Sequence, residues 1–159
     1  MGYRGLMMKK GLAPPENARY WRMLILSANG RPYVEVNELT MREQPGQPPM
    51  AEGGTYLIQS SQANASFYAF DKGAYGAGAV WRSVGNPATN PEYIGRGYDA
   101  YHGGKTKLRA IDVKIGSDTT AAPKDFDLQY SDNLSEWVTV MQVRNQTGWA
   151  AMETRAFTV

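Results

Sequence analysis

Few residues in this chain could carry catalytic chemistry. His102, in Tyr101-His102-Gly103-Gly104, is the single histidine, so a histidine-rich metal site is excluded and a catalytic triad is not expected; it reads as a loop residue. No cysteine is present, which removes disulfides, thiol nucleophiles and cysteine-ligated metals. Glycoside hydrolysis needs two carboxylates at a set separation. Asp71, Asp99, Asp112 and Glu153 are candidates, but their positions along the chain do not pair them. Gly73, Gly76 and Gly78 would suit a phosphate cradle, yet no Gly-Lys-Ser/Thr follows and no helix is expected there. They read as a surface loop, and the chain is expected not to be an enzyme.

Binding is better provided for. Arg96, Tyr98, Tyr101, Lys105 and Lys107 interleave bases with aromatics, as a stacking platform for single strands does. The cluster is short, however, and a net charge of +2 is too small for a nucleic-acid binder. Sugar rings also stack on aromatic faces, with polar neighbours reading their hydroxyls. Tyr98, Tyr101, His102 and Trp149 are the residues expected to bind a ligand in that way. Trp21, Trp81 and Trp137 lie within or beside apolar alternations and read as core anchors.

These residues must be held by strands. The chain has 159 residues, enough for one domain with a short extension. It is 42% hydrophobic and 20% charged, with 17 Gly, 9 Pro and 10 Tyr, a balance that favours turns and strands. Arg-Tyr-Trp-Arg-Met-Leu-Ile-Leu places Trp21, Met23 and Ile25 on one face and stops at Ala28-Asn29-Gly30. Val34 and Val36 give way to Leu39 and Met41 with a change of parity, which predicts a bulge near Asn37. Ile111, Val113 and Ile115 alternate cleanly, and residues 123–140 read as a strand, a polar turn and a second strand in which Phe126, Leu128 and Tyr130 share a face. No segment shows a sustained helical period or an internal repeat, so the fold is an all-β sandwich or barrel. No segment is long and apolar enough to span a bilayer, and the start lacks the apolar run of a signal peptide.

Residues 1–18 differ from the rest. Arg4, Lys9 and Lys10 precede the first acid, Glu16, and Met7, Met8 and Leu12 supply apolar contacts. This basic segment reads as an assembly arm that orders against a partner, ahead of a sandwich domain over 19–159.

The stretches Pro-Lys-Asp-Phe-Asp-Leu-Gln-Tyr-Ser-Asp-Asn-Leu-Ser-Glu-Trp (123–137) and Gln-Thr-Gly-Trp-Ala-Ala-Met-Glu-Thr-Arg-Ala-Phe-Thr-Val (146–159) closely resemble the second half of discoidin-like domains, the coagulation factor 5/8 type C family. Residues 20–29 and 34–43 resemble its opening strands, and Ala65–Asp71 with Trp81 resembles its Ala-Phe-Asp-Gly-Asp…Trp element. The likeness covers about 19–159 and is nearest to versions in bacteriophage structural proteins. It implies an eight-stranded jelly-roll β-sandwich related to galactose-binding modules, with Phe126, Leu128 and Trp137 packed inside.

The family's calcium positions fall on Asp71 and Glu153, but Lys72 stands in place of its Gly and Gly73 in place of its second Asp. The expectation is no cofactor, with a calcium ion at those two carboxylates as the alternative. Leu134 stands where the family turn often has Gly, which puts Asn133 in the left-handed position. The resemblance implies a virion structural protein, assembled in the host cytoplasm, used as a tail, collar, fibre-attachment or capsid-decoration component. Its expected partners are other virion proteins and copies of itself, contacted through the arm and the loops at 44–54 and 73–98. The alternative is a carbohydrate-binding module for host surface glycans. Neither nucleic acid nor membrane insertion is expected.

Overall fold

The structure is a computed structural model that describes residues 8–10, 15, 17–50, 55–76, 78–98 and 104–159, with only the backbone described for 8–10 and 55. Among the described residues it is built from antiparallel strands with two 3-10 turns, Ser66–Phe70 and Thr119–Ala121. In chain order the strands are β1 (Met8–Lys10), β2 (Tyr20–Ala28), β3 (Glu35–Val36), β4 (Glu38–Arg42), β5 (Thr55–Gln59), β6 (Trp81–Arg82), β7 (Glu92–Tyr98), β8 (Ala110–Lys114), β9 (Pro123–Ser131), β10 (Val138–Val143) and β11 (Thr154–Thr158). The all-β expectation holds, with more strands than the eight expected. A six-stranded sheet runs β1-β10-β9-β2-β7-β5, a three-stranded sheet runs β11-β8-β4, and β3 and β6 form a short ribbon.

Side-chain alternation explains how the sheets face each other. Trp21, Met23 and Ile25 on β2, Ile94 on β7 and Phe126 and Leu128 on β9 turn inward from the larger sheet. Leu39 and Met41 on β4, Ile111 and Val113 on β8 and Phe157 on β11 meet them from the smaller one. Phe126 and Phe157 touch edge to face across the gap, centroids 5.1 Å apart. Both sheets thus share one core, as in a sandwich.

The parity change near Asn37 has a specific cause. Val36 pairs with Trp81 in the ribbon, whereas Leu39 and Met41 pair with Val113 and Ile111 in the smaller sheet. Asn37 is the crossing point. It is 2% exposed; its backbone N–H donates to Lys114 O at 2.9 Å and its carboxamide donates to Ala79 O at 2.7 Å.

The 123–140 hairpin forms as expected, with two corrections. Leu134, not Asn133, takes the left-handed conformation at φ 66°. Asn133 instead uses its side-chain oxygen to accept the N–H groups of Ser135 and Glu136, while Ser131 Oγ accepts those of Asn133 and Leu134. Trp137 is not a core residue. Val138 pairs with the inward Tyr130, so by the two-residue period Trp137 faces outward. There it lies under the Arg22 guanidinium at 3.8 Å, with Tyr93 against the same guanidinium at 4.7 Å.

The described part of the basic segment joins its own domain. Met8, Lys9 and Lys10 pair with Val143, Gln142 and Met141, making β1 the edge of the larger sheet. Arg4, Met7 and Leu12 lie outside the described residues. Ala18, assigned to the arm, is buried and bridged to Thr106, and Arg109 Nη1 donates to Pro15 O at 3.0 Å. The packed domain therefore takes in residues on the arm side of the expected boundary.

Candidate functional site

The feature that stands out from the packed framework is the segment between Ser66 and Val80. Its 3-10 turn buries Ser66, Ala69 and Phe70, a spacing of about three that suits this tight helix. The positions between them point away from the core, leaving Phe67 44% exposed and Tyr68 half-buried. Consecutive turns follow, with Ala74 N–H donating to Asp71 O, Gly76 N–H to Gly73 O and Ala79 N–H to Gly76 O. Lys72, Gly73 and Gly76 all have positive φ. The glycines adopt that region without the Cβ penalty. Lys72 adopts it beside Asp71, whose Oδ1 accepts the Gly73 N–H at 2.6 Å. Asn37 ties the far end of this loop to the core through Ala79 O.

Tyr75 crowns the loop and is 67% exposed. Its ring centroid lies 5.8 Å from Phe67 and 5.7 Å from Tyr68, at interplanar angles of 70° and 78°. Phe67 and Tyr68 lie 4.2 Å apart. Tyr68 and Tyr75 wall a cavity of about 390 Å3, lined also by Asn64, Gly78, Ala79 and Val80, and Phe67 packs against both rings. Among the described residues, the Asn64 carboxamide and the Tyr68 and Tyr75 hydroxyls make no hydrogen bond to other protein groups. A second cavity, of about 330 Å3, touches the same loop at Lys72 and Gly73 and is charged, with Glu38 and Lys114 in its wall.

The residues expected from sequence to bind a ligand do not gather here. Tyr98 points inward from β7 and is 5% exposed. Trp149 is 6% exposed; its indole N–H donates to Pro123 O at 3.1 Å and the Arg155 guanidinium covers its ring at 4.1 Å. It is a core residue rather than a free stacking platform. Tyr101 and His102 lie outside the described residues. Arg96 is buried over the Phe70 ring at 4.5 Å, and Lys105 pairs with Asp132 at 2.8 Å. Arg96 and Tyr98 thus lie in the interior and Lys105 in a surface ion pair.

The two carboxylates of the calcium alternative stand in different surroundings. Glu153 Oε1 accepts Arg155 Nε at 2.8 Å, and Oε2 accepts the Ala150 N–H at 2.7 Å and Arg155 Nη2 at 3.1 Å. Its side chain is committed to a guanidinium that a cation would have to displace. Asp71 Oδ2 is buried without a partner, but Lys72 follows it directly. Among the described residues, no three His, Asp or Glu side chains converge as a metal centre requires. Calcium wants six to eight oxygens.

Perturbed titrating groups likewise belong to the framework. The Arg155 hydrogen bond holds the Glu153 carboxyl below its ordinary range, the Lys105 hydrogen bond does so for Asp132, and the Thr120 hydroxyl for Asp118. None of them lines the aromatic hollow.

Phe67, Tyr68 and Tyr75 escape a reading of the sequence because no period marks them. One signal is present. Large rings among Ala63, Ala65, Ser66, Gly73, Ala74 and Gly76 have only small neighbours in sequence and cannot be buried by them. No helix among the described residues is long and apolar enough to cross a membrane. Comparison of this chain with protein-family models, with curated proteins and with solved structures finds no match.

Proposed function

We propose that this chain is a non-enzymatic structural module of a bacteriophage particle, a tail, collar, fibre-attachment or capsid-decoration component built on a discoidin-like jelly roll. The sequence resemblance supports this reading. So does the strand layout: without β1 and the β3–β6 ribbon, five strands of the larger sheet face three of the smaller one.

The observation that carries the assembly role is the placement of β1. The segment reaches past β2 and β9 and adds to the far edge of the sheet at β10. Strand addition is held by main-chain hydrogen bonds and offers a sequence-tolerant way to join parts. Exchange of β1 between copies would place it on the same edge of a neighbour's β10 in place of that copy's own β1, and symmetry repeats such a contact around an oligomer. Deleting residues 1–12 tests this. The variant should keep its circular dichroism and fluorescence yet lose incorporation into particles. Unchanged incorporation would overturn the reading.

The second reading, a carbohydrate-binding module for host surface glycans, is favoured by the exposed rings of Phe67, Tyr68 and Tyr75. Saturable binding to host surface polysaccharide, retained in calcium chelator, would support it. The two roles are compatible on one particle.

A further inference from the structure

We propose that the hollow beside Tyr68 and Tyr75 is a subsite for one neutral pyranose ring, with Tyr75 as the stacking platform and Asn64 as the reader of hydroxyls. The inference rests on the carbohydrate-binding reading and gives it a place and a ligand class.

Four observations converge. First, Tyr75 holds most of its ring in water although the loop beneath it is ordered by turns and by Asn37. Exposed aromatic clusters of this kind mark binding surfaces. The negative face of an aromatic ring attracts the partly positive C–H edges of a sugar. The steep angles at which Phe67 and Tyr68 meet Tyr75 keep that ring upright.

Second, the polar groups around the hollow suit hydroxyls. A carboxamide both donates and accepts, as does each phenol. The Asn64 carboxamide and the Tyr68 and Tyr75 hydroxyls have, among the described residues, no protein partner to give up on binding. Third, among the described residues no charged side chain lines the hollow. The neighbouring cavity, with Lys72, Lys114 and Glu38 in its wall, shows what a site for an ionic ligand would contain. The ligand class is therefore neutral.

Fourth, the space is preformed. Its volume of about 390 Å3 is at the small end of ligand sites. Val80 in its wall is buried, and a Cβ built on Gly78 would meet nothing. Gly78 lines the hollow, so a bulky side chain there competes with a ligand for its space.

The test is saturation-transfer NMR and calorimetry on the full chain. The probes are neutral oligosaccharides of glucose, galactose, mannose and N-acetylglucosamine, with an oligogalacturonate as the acidic probe. At least one neutral probe should bind. Tyr75→Ala and Asn64→Ala should each weaken it by about tenfold, the loss of one aromatic or hydrogen-bond contact. Gly78→Leu should abolish it, with the melting temperature showing that the variant is folded. Neutral binding that survives all three substitutions overturns the site and leaves the carbohydrate reading standing. Binding of the acidic probe alone overturns the ligand class. Failure of the wild-type chain to bind any probe overturns both, and if Tyr75→Ala then impairs particle incorporation, the rings belong to a protein contact.

Discussion

Trp149 and Tyr75 sit in regions that deploy the same residue types in opposite ways. Around Trp149 every group is closed: Pro123 O takes the indole N–H, Arg155 covers the ring, and Glu153 with the carbonyls of Thr147 and Gly148 holds that guanidinium. Around Tyr75 the rings meet one another, and among the described residues the nearby carboxamide and phenols make no hydrogen bond to other protein groups. Aromatic content alone therefore does not locate a site. What separates framework from surface is whether distant residues complete the hydrogen bonds and cover the faces of each ring. In the first region residues 26 positions apart do so. In the second the backbone is fixed while the side chains stay uncommitted, as a preorganised binding surface requires.

The sharpest way to break this comparison is Trp149→Ala. Removing a buried indole should cost about 3–5 kcal/mol, read as a lower midpoint in chemical denaturation. A Trp149→Ala protein of unchanged stability that no longer binds a ligand would reverse the roles assigned to the two regions. Asn37→Ala should come next, at about 1 kcal/mol for losing a part-buried hydrogen bond to Ala79 O. Its signature is local, with faster hydrogen exchange in residues 76–79 while β9 stays protected.

Smaller again is a dependence on pH. Glu153, Asp132 and Asp118 are held below their ordinary range in the folded chain, so the unfolded chain binds protons more readily. Their stabilisation is complete above the unfolded carboxylate range, about pH 4, and is lost as pH falls through the depressed folded values. Urea midpoints measured from pH 6 down to pH 3 should fall, and Glu153→Gln should flatten part of the decline. The smallest effect belongs to Tyr75→Ala, whose stability should lie within about 0.5 kcal/mol of the parent, as for other surface positions. A large loss there would make Tyr75 a packing residue and remove the contrast.

Much of the framework is legible in the order of the residues. Trp21, Met23 and Ile25, and likewise Ile111, Val113 and Ile115, alternate without interruption and are all buried. Asn29-Gly30 ends β2 where turn chemistry demands, with Gly30 at φ 136°. Asn37 is legible as an irregularity but not as a crossing between sheets, because parity reports a change of face and not which sheet supplies the new partner. Trp137 and Tyr98 mark the limit of periodic reasoning at strand ends. Trp137 precedes β10 and faces outward, while Tyr98 ends β7 and faces inward, and only register fixes those directions. Trp149 lies outside any strand, so no period applies; its burial depends on Pro123 and Arg155. The aromatic hollow is hidden for a related reason, since ring-to-ring contact across a turn leaves no repeat in the sequence.

The placement of β1 also bears on how the protein behaves at high concentration. Val138-Thr139-Val140-Met141-Gln142-Val143 is rich in β-branched residues and carries no charge, proline or glycine, the composition of segments that recruit further strands into aggregates. β1 occupies the edge of this strand at Met141–Val143 and leaves a three-residue strand outermost. Short edge strands are poor templates for runaway pairing. A preparation trimmed by protease near its N-terminus should consequently turn cloudy on storage sooner than the intact chain, even with its core still folded.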